Sequence, residues 1–125
     1  MSVMSRGEQM QAVLRALVNS DPDLEGAAVV TTDGLPLSSV LPPGTDEDRV
    51  AAMGAAALSM GSRTASELRR GGIEQVLLKG DLGYVILIQA GSETVLQVIS
   101  TSDARLGLLL FEMKSAAQQL ARQLG

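Results

Sequence analysis

The chain has 125 residues, of which 46% are hydrophobic and 2% are aromatic, and it contains neither cysteine nor histidine. This length and hydrophobic content predict one globular domain over residues 1–125, and the two missing residue types exclude disulfides and disfavour an enzyme or a metal site. The formal net charge of −4 disfavours a nucleic-acid partner, because phosphate binding needs a basic surface.

A first helix is predicted to begin at Ser5 and Glu8, whose side chains can each cap a backbone amide of the first turn. Four apolar residues then follow at helical spacing: Met10, Val13, Leu14 and Leu17. Pro22 and the residue before it resist helical geometry, so the helix is expected to end within residues 19–22.

Two strands, residues 27–32 and 35–40, are predicted on either side of Asp33 and Gly34, a dipeptide suited to a tight hairpin turn. Pro36 lies within the second strand and has no backbone N–H to donate. We therefore place that strand at an edge of the sheet.

A long helix is predicted over residues 46–70, with Thr45 as its cap, acidic residues in its first turn and Gly71-Gly72 at its end. Three short apolar runs, separated by turn residues, then predict an antiparallel meander: 73–79, 82–90 and 94–100. A last amphipathic helix is predicted over residues 103–124. The order α-β-β-α-β-β-β-α predicts an α+β domain built on an antiparallel sheet.

The predicted middle helix carries two apolar stripes. One contains its bulkiest side chains, which we expect to pack on the sheet: Val50, Met53, Ala57, Met60, Thr64 and Leu68. The other consists almost entirely of small residues: Ala51, Gly54, Ala55, Leu58, Gly61, Ser62 and Ala65. Each glycine within a helix costs about 1 kcal/mol relative to alanine. Either the helix tolerates them, or the small stripe lets the helix of a second subunit approach closely. We favour the second interpretation.

The run at residues 73–79 is the second predicted edge strand. Its charged residues, Glu74 and Lys79, either protect this edge or flank a strand that pairs with a copy of itself. If the strand pairs with its copy, Glu74, Val76 and Leu78 join the small stripe in a predicted dimer interface.

Four features occur together along the chain: the Asp33-Gly34-Leu35-Pro36 hairpin, the small-residue middle helix, Gly83-Tyr84-Val85-Ile86-Leu87-Ile88, and Leu106-Gly107-Leu108-Leu109-Leu110. In this order they resemble the Roadblock/dynein light chain family, and in particular its prokaryotic MglB-like branch. The resemblance covers nearly the whole chain, residues 5–124.

The resemblance implies a five-stranded antiparallel sheet in the order 2-1-5-4-3, with the middle helix on one face and the other two helices on the opposite face. It implies dimerisation through the middle helix and the third strand, which would give a continuous ten-stranded sheet. Family members bind Ras-like small GTPases, which they activate or scaffold, and others join motor complexes. The resemblance therefore predicts a homodimeric, non-enzymatic regulator or scaffold of a Ras-like small GTPase, without a cofactor.

Arg63 and Arg70 are the candidate GTPase-facing residues. Together with Arg69 and Arg105 they are also the candidates for an arginine finger in phosphoryl transfer. We interpret the three on the middle helix as solvated or as partners of its C-terminus, since MglB-like regulators are thought to reshape the GTPase's own site. The acidic run at residues 46–48 is interpreted as a partner of the helix dipole rather than a metal site.

Two alternative functions stay open: a dimeric structural adaptor in a motor or signalling complex, and a small-molecule sensor domain. The sequence does not separate the adaptor from the GTPase regulator, and a sensor would need a cavity with convergent polar groups. No apolar run approaches the roughly 18–20 residues that span a bilayer, and no basic segment precedes an apolar stretch at the N-terminus. We therefore expect a cytoplasmic protein without a membrane partner.

Overall fold

The computed structural model describes residues 3–124, which form three helices and five strands. In chain order these are α1 (Arg6–Ser20), β1 (Leu24–Thr31), β2 (Pro36–Val40), α2 (Glu47–Glu67), β3 (Gln75–Gly80), β4 (Gly83–Gln89), β5 (Thr94–Thr101) and α3 (Leu106–Leu124). The predicted order of elements is confirmed, with boundaries that shift by a few residues.

The five strands form one antiparallel sheet in the order β2-β1-β5-β4-β3. α1 and α3 cover one face, where apolar side chains of both helices pack on those of the inner strands: Leu14, Leu109, Met113, Val29, Ile86 and Val98. α2 covers the other face, where a second apolar cluster forms: Ala51, Leu58, Ala28, Val30, Leu87 and Val95. The predicted fold is therefore confirmed, and Pro36 lies on the edge strand β2.

Side chains cap the starts of α1 and α2. Ser5 Oγ accepts a hydrogen bond from the Glu8 N–H, and Glu8 Oε1 accepts one from the Ser5 N–H, both at 3.1 Å. The backbone and side-chain hydrogen bonds to Ser5 lower the pKa of the Glu8 carboxyl. At α2 the cap is Asp46 rather than the predicted Thr45, because Asp46 Oδ1 accepts from the N–H groups of Asp48 and Arg49 at 3.1 and 3.2 Å.

α2 ends earlier than predicted, and it does so without help from a glycine. Arg69 adopts a left-handed conformation with φ of 59°. Its N–H donates to the Ser66 carbonyl at 3.1 Å, and the Arg70 N–H donates to the Ala65 carbonyl at 2.7 Å. These two bonds satisfy the last helical carbonyls, so the helix is closed before Gly71 is reached.

Replacing Arg69 by glycine should stabilise the protein by about 1 kcal/mol, because glycine adopts the left-handed conformation without the steric cost that a side chain brings. Urea unfolding at a fixed protein concentration would measure the change. Glu67→Gly is the matched control, since Glu67 is the last residue of α2 and glycine there should destabilise the helix. Equal destabilisation by both variants would contradict this account of the helix end.

The prediction of which α2 stripe packs on the sheet is wrong for most of the bulky stripe, although Val50 and Ala57 do pack against the apolar cluster on this face. The small stripe faces the sheet, where Ala51 and Leu58 pack in the apolar cluster, and Ala55 is buried beside Gly34 of the hairpin turn. Of the bulky stripe, Met53, Met60 and Leu68 are exposed. The helix is therefore rotated from the predicted orientation, with its largest apolar side chains turned away from the core of its own domain.

Close contact between α2 and the sheet explains both helical glycines. A Cβ atom on Gly54 would lie 2.1 Å from Gln97 Oε1, so the Gln97 side chain occupies the space beneath this residue. A Cβ atom on Gly61 would lie 2.8 Å from Val76 Cγ2 and 3.0 Å from Ile73 Cδ1. The cost of a glycine within a helix is thus offset by helix–sheet packing inside one chain, and it does not require the approach of a second helix.

Candidate interaction surface

An exposed apolar surface runs along the side of α2 that faces β3. We call it the α2–β3 surface and define it by Met53, Ala57, Met60, Leu68 and Leu78. Met53, Met60 and Leu68 are 65%, 63% and 63% exposed, and Leu78 on β3 is 49% exposed. Contiguous exposed apolar side chains of this size mark an interaction site rather than ordinary protein surface.

Two open grooves follow this surface, with volumes of about 460 and 500 Å³. The first lies between the N-terminal half of α2 and the sheet, where it reaches Val85 and Ile99. The second lies between the C-terminal half of α2 and β3, where it reaches Ile73 and Val76. Both grooves include Ala57 and Leu78, so they form one continuous apolar depression.

β3 borders this depression and is the last strand of the sheet on that side. Within residues 3–124 it pairs with β4 alone, so the backbone groups on its other side have no strand partner. Leu77 and Leu78 are both partly exposed, at 37% and 49%. An unpaired strand edge with exposed apolar side chains is a template for pairing with another chain.

The structure divides the predicted dimer-interface residues into three groups. Ala51 and Leu58 contact the sheet of their own chain, Ala55 is buried beside Gly34, and Gly54 is buried over Gln97, so these four are unavailable for the predicted contact. Four others line the grooves and stay in the candidate surface: Gly61, Ala65, Val76 and Leu78. Ser62 is half-buried and Glu74 is exposed, and neither lines a groove.

Met53, Met60 and Leu68 lie on the surface, although they were predicted to lie in the core. The small residues on the other side of the helix indicate which side contacts the sheet. A helix that lies close to a flat sheet needs small residues at the contact, and the row from Ala51 to Ala65 meets that need. The row that contains Met53, Met60 and Leu68 therefore lies on the outer side of the helix.

Gln97 is the polar side chain at the base of the first groove. It is only 6% exposed, and its Oε1 atom is buried without a hydrogen-bond partner among the described residues. The neighbouring groove positions on the same side of the sheet are apolar: Val85, Leu87 and Ile99. A buried acceptor without a partner costs about 1–3 kcal/mol, so this carboxamide is an unfavourable feature of the isolated chain.

The charged candidates lie around the same helix. Arg63 and Arg70 are exposed, and Arg70 Nε donates to the Leu68 carbonyl at 3.2 Å. Asp46 acts as the helix cap, and Glu47 Oε2 accepts from Ser39 Oγ at 2.6 Å. Over residues 3–124, no group of three or more acidic side chains is arranged to hold a metal ion. Over the same range, no helix is long and apolar enough to cross a membrane.

Comparisons with known proteins agree with this architecture. The model of the Roadblock/LC7 domain family matches residues 10–100. An uncharacterized protein of Methanocaldococcus jannaschii, MJ1340, is 36% identical over 103 residues, which are 82% of this chain and 90% of that protein.

Two solved structures share the fold. The Roadblock/LC7 domain from Streptomyces avermitilis superposes with a TM-score of 0.86 at 24% identity, over 91% of this chain and 96% of that one. Myxococcus xanthus MglB superposes with a TM-score of 0.85 at 20% identity, over 98% of this chain and 92% of that one. With the element order, the sheet order and the family match in agreement, the chain belongs to the Roadblock/LC7 domain family.

Proposed function

We propose that this chain is a cytoplasmic homodimer that regulates or scaffolds a Ras-like small GTPase without catalysing a reaction itself. The observation that carries the proposal is the α2–β3 surface, an apolar face beside an unpaired strand edge. The resemblance to the MglB-like branch supports the GTPase as partner, because members of that branch bind such proteins.

A second copy of the chain suits the α2–β3 surface well. In a two-fold dimer the same surface of each copy meets its counterpart. Pairing β3 with its copy would satisfy the free backbone groups of both edges. Met53, Met60 and Leu68 would leave water, and burying a side chain of this size fully contributes about 1.5–3 kcal/mol.

The proposed dimer leaves one side of α2 free for the GTPase. This side is exposed and consists of small residues with one arginine: Ala52, Ala56, Ser59, Arg63 and Ser66. Small side chains allow a partner to approach the helix backbone closely, and Arg63 can meet acidic groups. Arg70 lies beyond the end of α2, where it lines the second groove. The proposal therefore places the GTPase over the paired α2 helices.

The test is a binding experiment in two nucleotide states. Immobilised protein would be incubated with lysate of the source cell, once with a non-hydrolysable GTP analogue and once with GDP. A small GTPase retained mainly with the GTP analogue is the expected result, and that GTPase would then be purified for binding and hydrolysis assays. Equal retention in both states would favour a scaffold, and retention in neither state would contradict the GTPase proposal.

Charge reversal locates the contact. Arg63→Glu should weaken binding of the purified GTPase about tenfold, mainly through slower association, as expected for a charge at the rim of an interface. Arg105→Glu is the matched control, because Arg105 is exposed and immediately precedes α3, which covers the other face of the sheet. If Arg63→Glu and Arg105→Glu bind the purified GTPase with equal affinity, the contact does not include this side of α2.

A further inference from the structure

A second exposed surface lies on the helices that cover the other face of the sheet. We call it the α1–α3 surface and define it by six residues: Ala12, Ala16, Ser20, Leu108, Phe111 and Ser115. Phe111 is the only phenylalanine of the chain and is 72% exposed. Leu108 is 47% exposed and precedes Phe111 by one helical turn, so the two side chains are neighbours on α3. Exposed aromatic and aliphatic side chains that lie together mark an interaction site.

A groove of about 250 Å³ runs between α1 and α3 beside Phe111. The buried apolar side chains of Val13, Leu17 and Ala116 line it. Among residues 3–124, Glu112 is the only charged residue that lines this groove, and its Oε2 accepts a hydrogen bond from Ser20 Oγ at 3.0 Å within the same chain. A surface that is depleted of charge and carries an aromatic side chain has the composition of the centre of a protein–protein interface.

The two helices run antiparallel and carry opposite charges at one end of the surface. Ser20 at the end of α1 contacts Glu112 near the start of α3, whereas Gln9 at the start of α1 lines a depression together with Arg122 near the end of α3. Glu8 in the first turn of α1 and Arg122 in the last turn of α3 are therefore at the same end, and both are exposed.

A second copy complements this surface when the two-fold axis lies parallel to the helices. Such an axis places α1 of each copy over α3 of the other copy, at the same level along the helices. Glu8 of each copy then faces Arg122 of the other, so two attractive charge pairs form at this end. Phe111 borders the groove along which the axis runs, so it meets Phe111 of the second copy, and the two rings can stack in an offset arrangement.

We propose that the α1–α3 surface is a second self-association surface of this protein. Phe111 is its central apolar contact, and Glu8 and Arg122 set the orientation of the two copies. The surface lies on the opposite face of the sheet from α2, so it does not depend on the homodimer proposed above and can join two such dimers. Each copy contributes only two helices, and we therefore expect weak association with a dissociation constant of about 100 µM.

Sedimentation velocity of the full chain, from about 5 to about 500 µM, tests the proposal. The mass of the unchanged protein should double over this range. Phe111→Asp should raise the dissociation constant of this step at least about 30-fold, because it removes a central aromatic contact and brings two carboxylates together. Leu35→Asp is the matched control, since Leu35 is 62% exposed and follows Gly34, which packs on α2, and the doubling of mass should persist.

Exchange of the two charges tests the orientation. Arg122→Glu and Glu8→Lys should each weaken the same step about tenfold, because like charges then meet twice in each pair of copies. The double variant should associate to within about twofold of the unchanged protein, since the charge pairs are rebuilt with reversed sign. Glu8 also caps α1 through Ser5, and this cap is lost in both variants with Glu8→Lys, so a recovered affinity cannot come from the cap.

The outcomes separate this surface from the α2–β3 surface. A mass that stays constant up to the highest concentration, or a doubling that Phe111→Asp leaves unchanged, overturns the proposal. A double charge variant that associates as weakly as Arg122→Glu overturns the orientation. None of these results bears on the proposed homodimer, because that dimer uses the other face of the sheet and is complete at the lowest concentration.

Discussion

Met60→Asp is expected to convert the protein from a dimer to a monomer. Met60 lies near the middle of the α2–β3 surface and is 63% exposed in the isolated chain. In the proposed dimer its replacement would bury an unpaired carboxylate, which is strongly unfavourable. The dissociation constant should rise at least about 100-fold. Sedimentation equilibrium over a range of protein concentrations would measure the change.

The same substitution should leave the fold of each chain intact. An exposed position tolerates a polar residue with a change in unfolding free energy of about 0.5 kcal/mol or less. Circular dichroism of the monomeric variant would check this point. Ser59→Asp is the matched control, because Ser59 is the preceding residue on the solvated side of α2 and should leave the dimer unchanged. If both variants associate as tightly as the unchanged protein, the interface lies elsewhere.

Gly83→Ala is expected to give the largest loss of fold stability. Gly83 begins β4, pairs with Gly80 and Thr101, and has φ of 153°. A Cβ atom at this position would lie 1.9 Å from the carbonyl oxygen of Ser100, a backbone atom that has little freedom to move. The clash and the strained backbone together should cost about 3 kcal/mol or more.

Gly107→Ala is the control for this prediction. Gly107 lies in the first turn of α3, and no atom lies within 4 Å of a Cβ built there. Alanine should therefore stabilise the protein by up to about 1 kcal/mol. Urea unfolding of both variants at one protein concentration would measure the two changes, since self-association also affects apparent stability. Equal midpoints for the two variants would contradict the local geometry described at Gly83.

Local patterns in the sequence predicted most of the fold. The Ser5–Glu8 capping box and the proline on the edge strand each depend on a few neighbouring residues, and both are confirmed. The hairpin after β1 was placed correctly, and Gly34 supplies the positive φ of 94°. Its loop is longer than two residues, because Thr31 pairs with Leu35 through backbone and side-chain hydrogen bonds.

The orientation of α2 depended on contacts that are distant in sequence. The prediction placed the stripe with the largest apolar side chains on the sheet. It assumed that the largest apolar residues are covered by the same chain. The Gln97 side chain, more than forty residues downstream of Gly54, occupies space between α2 and the sheet that large side chains of the helix were expected to fill. The end of α2 was misplaced for a related reason, since Arg69 adopts the left-handed conformation that glycines normally supply.

The candidate site was accordingly predicted in part. The predicted elements, the middle helix and the third strand, carry the exposed α2–β3 surface, and Gly61, Ala65, Val76 and Leu78 line its second groove. Ala51, Gly54, Ala55 and Leu58 face the protein's own core because α2 is rotated from the predicted orientation. Whether a second copy covers this surface stays a prediction.

Hydrogen–deuterium exchange of the unmodified protein tests that prediction most directly. Each chain has a mass of 13.0 kDa, and the account predicts a particle of twice this mass at micromolar concentration. Backbone amides on the free side of β3, residues 75–80, should then exchange slowly, and they should exchange faster when the protein is diluted or carries Met60→Asp. Fast exchange of these amides at every concentration, with the mass of a single chain, would contradict the account.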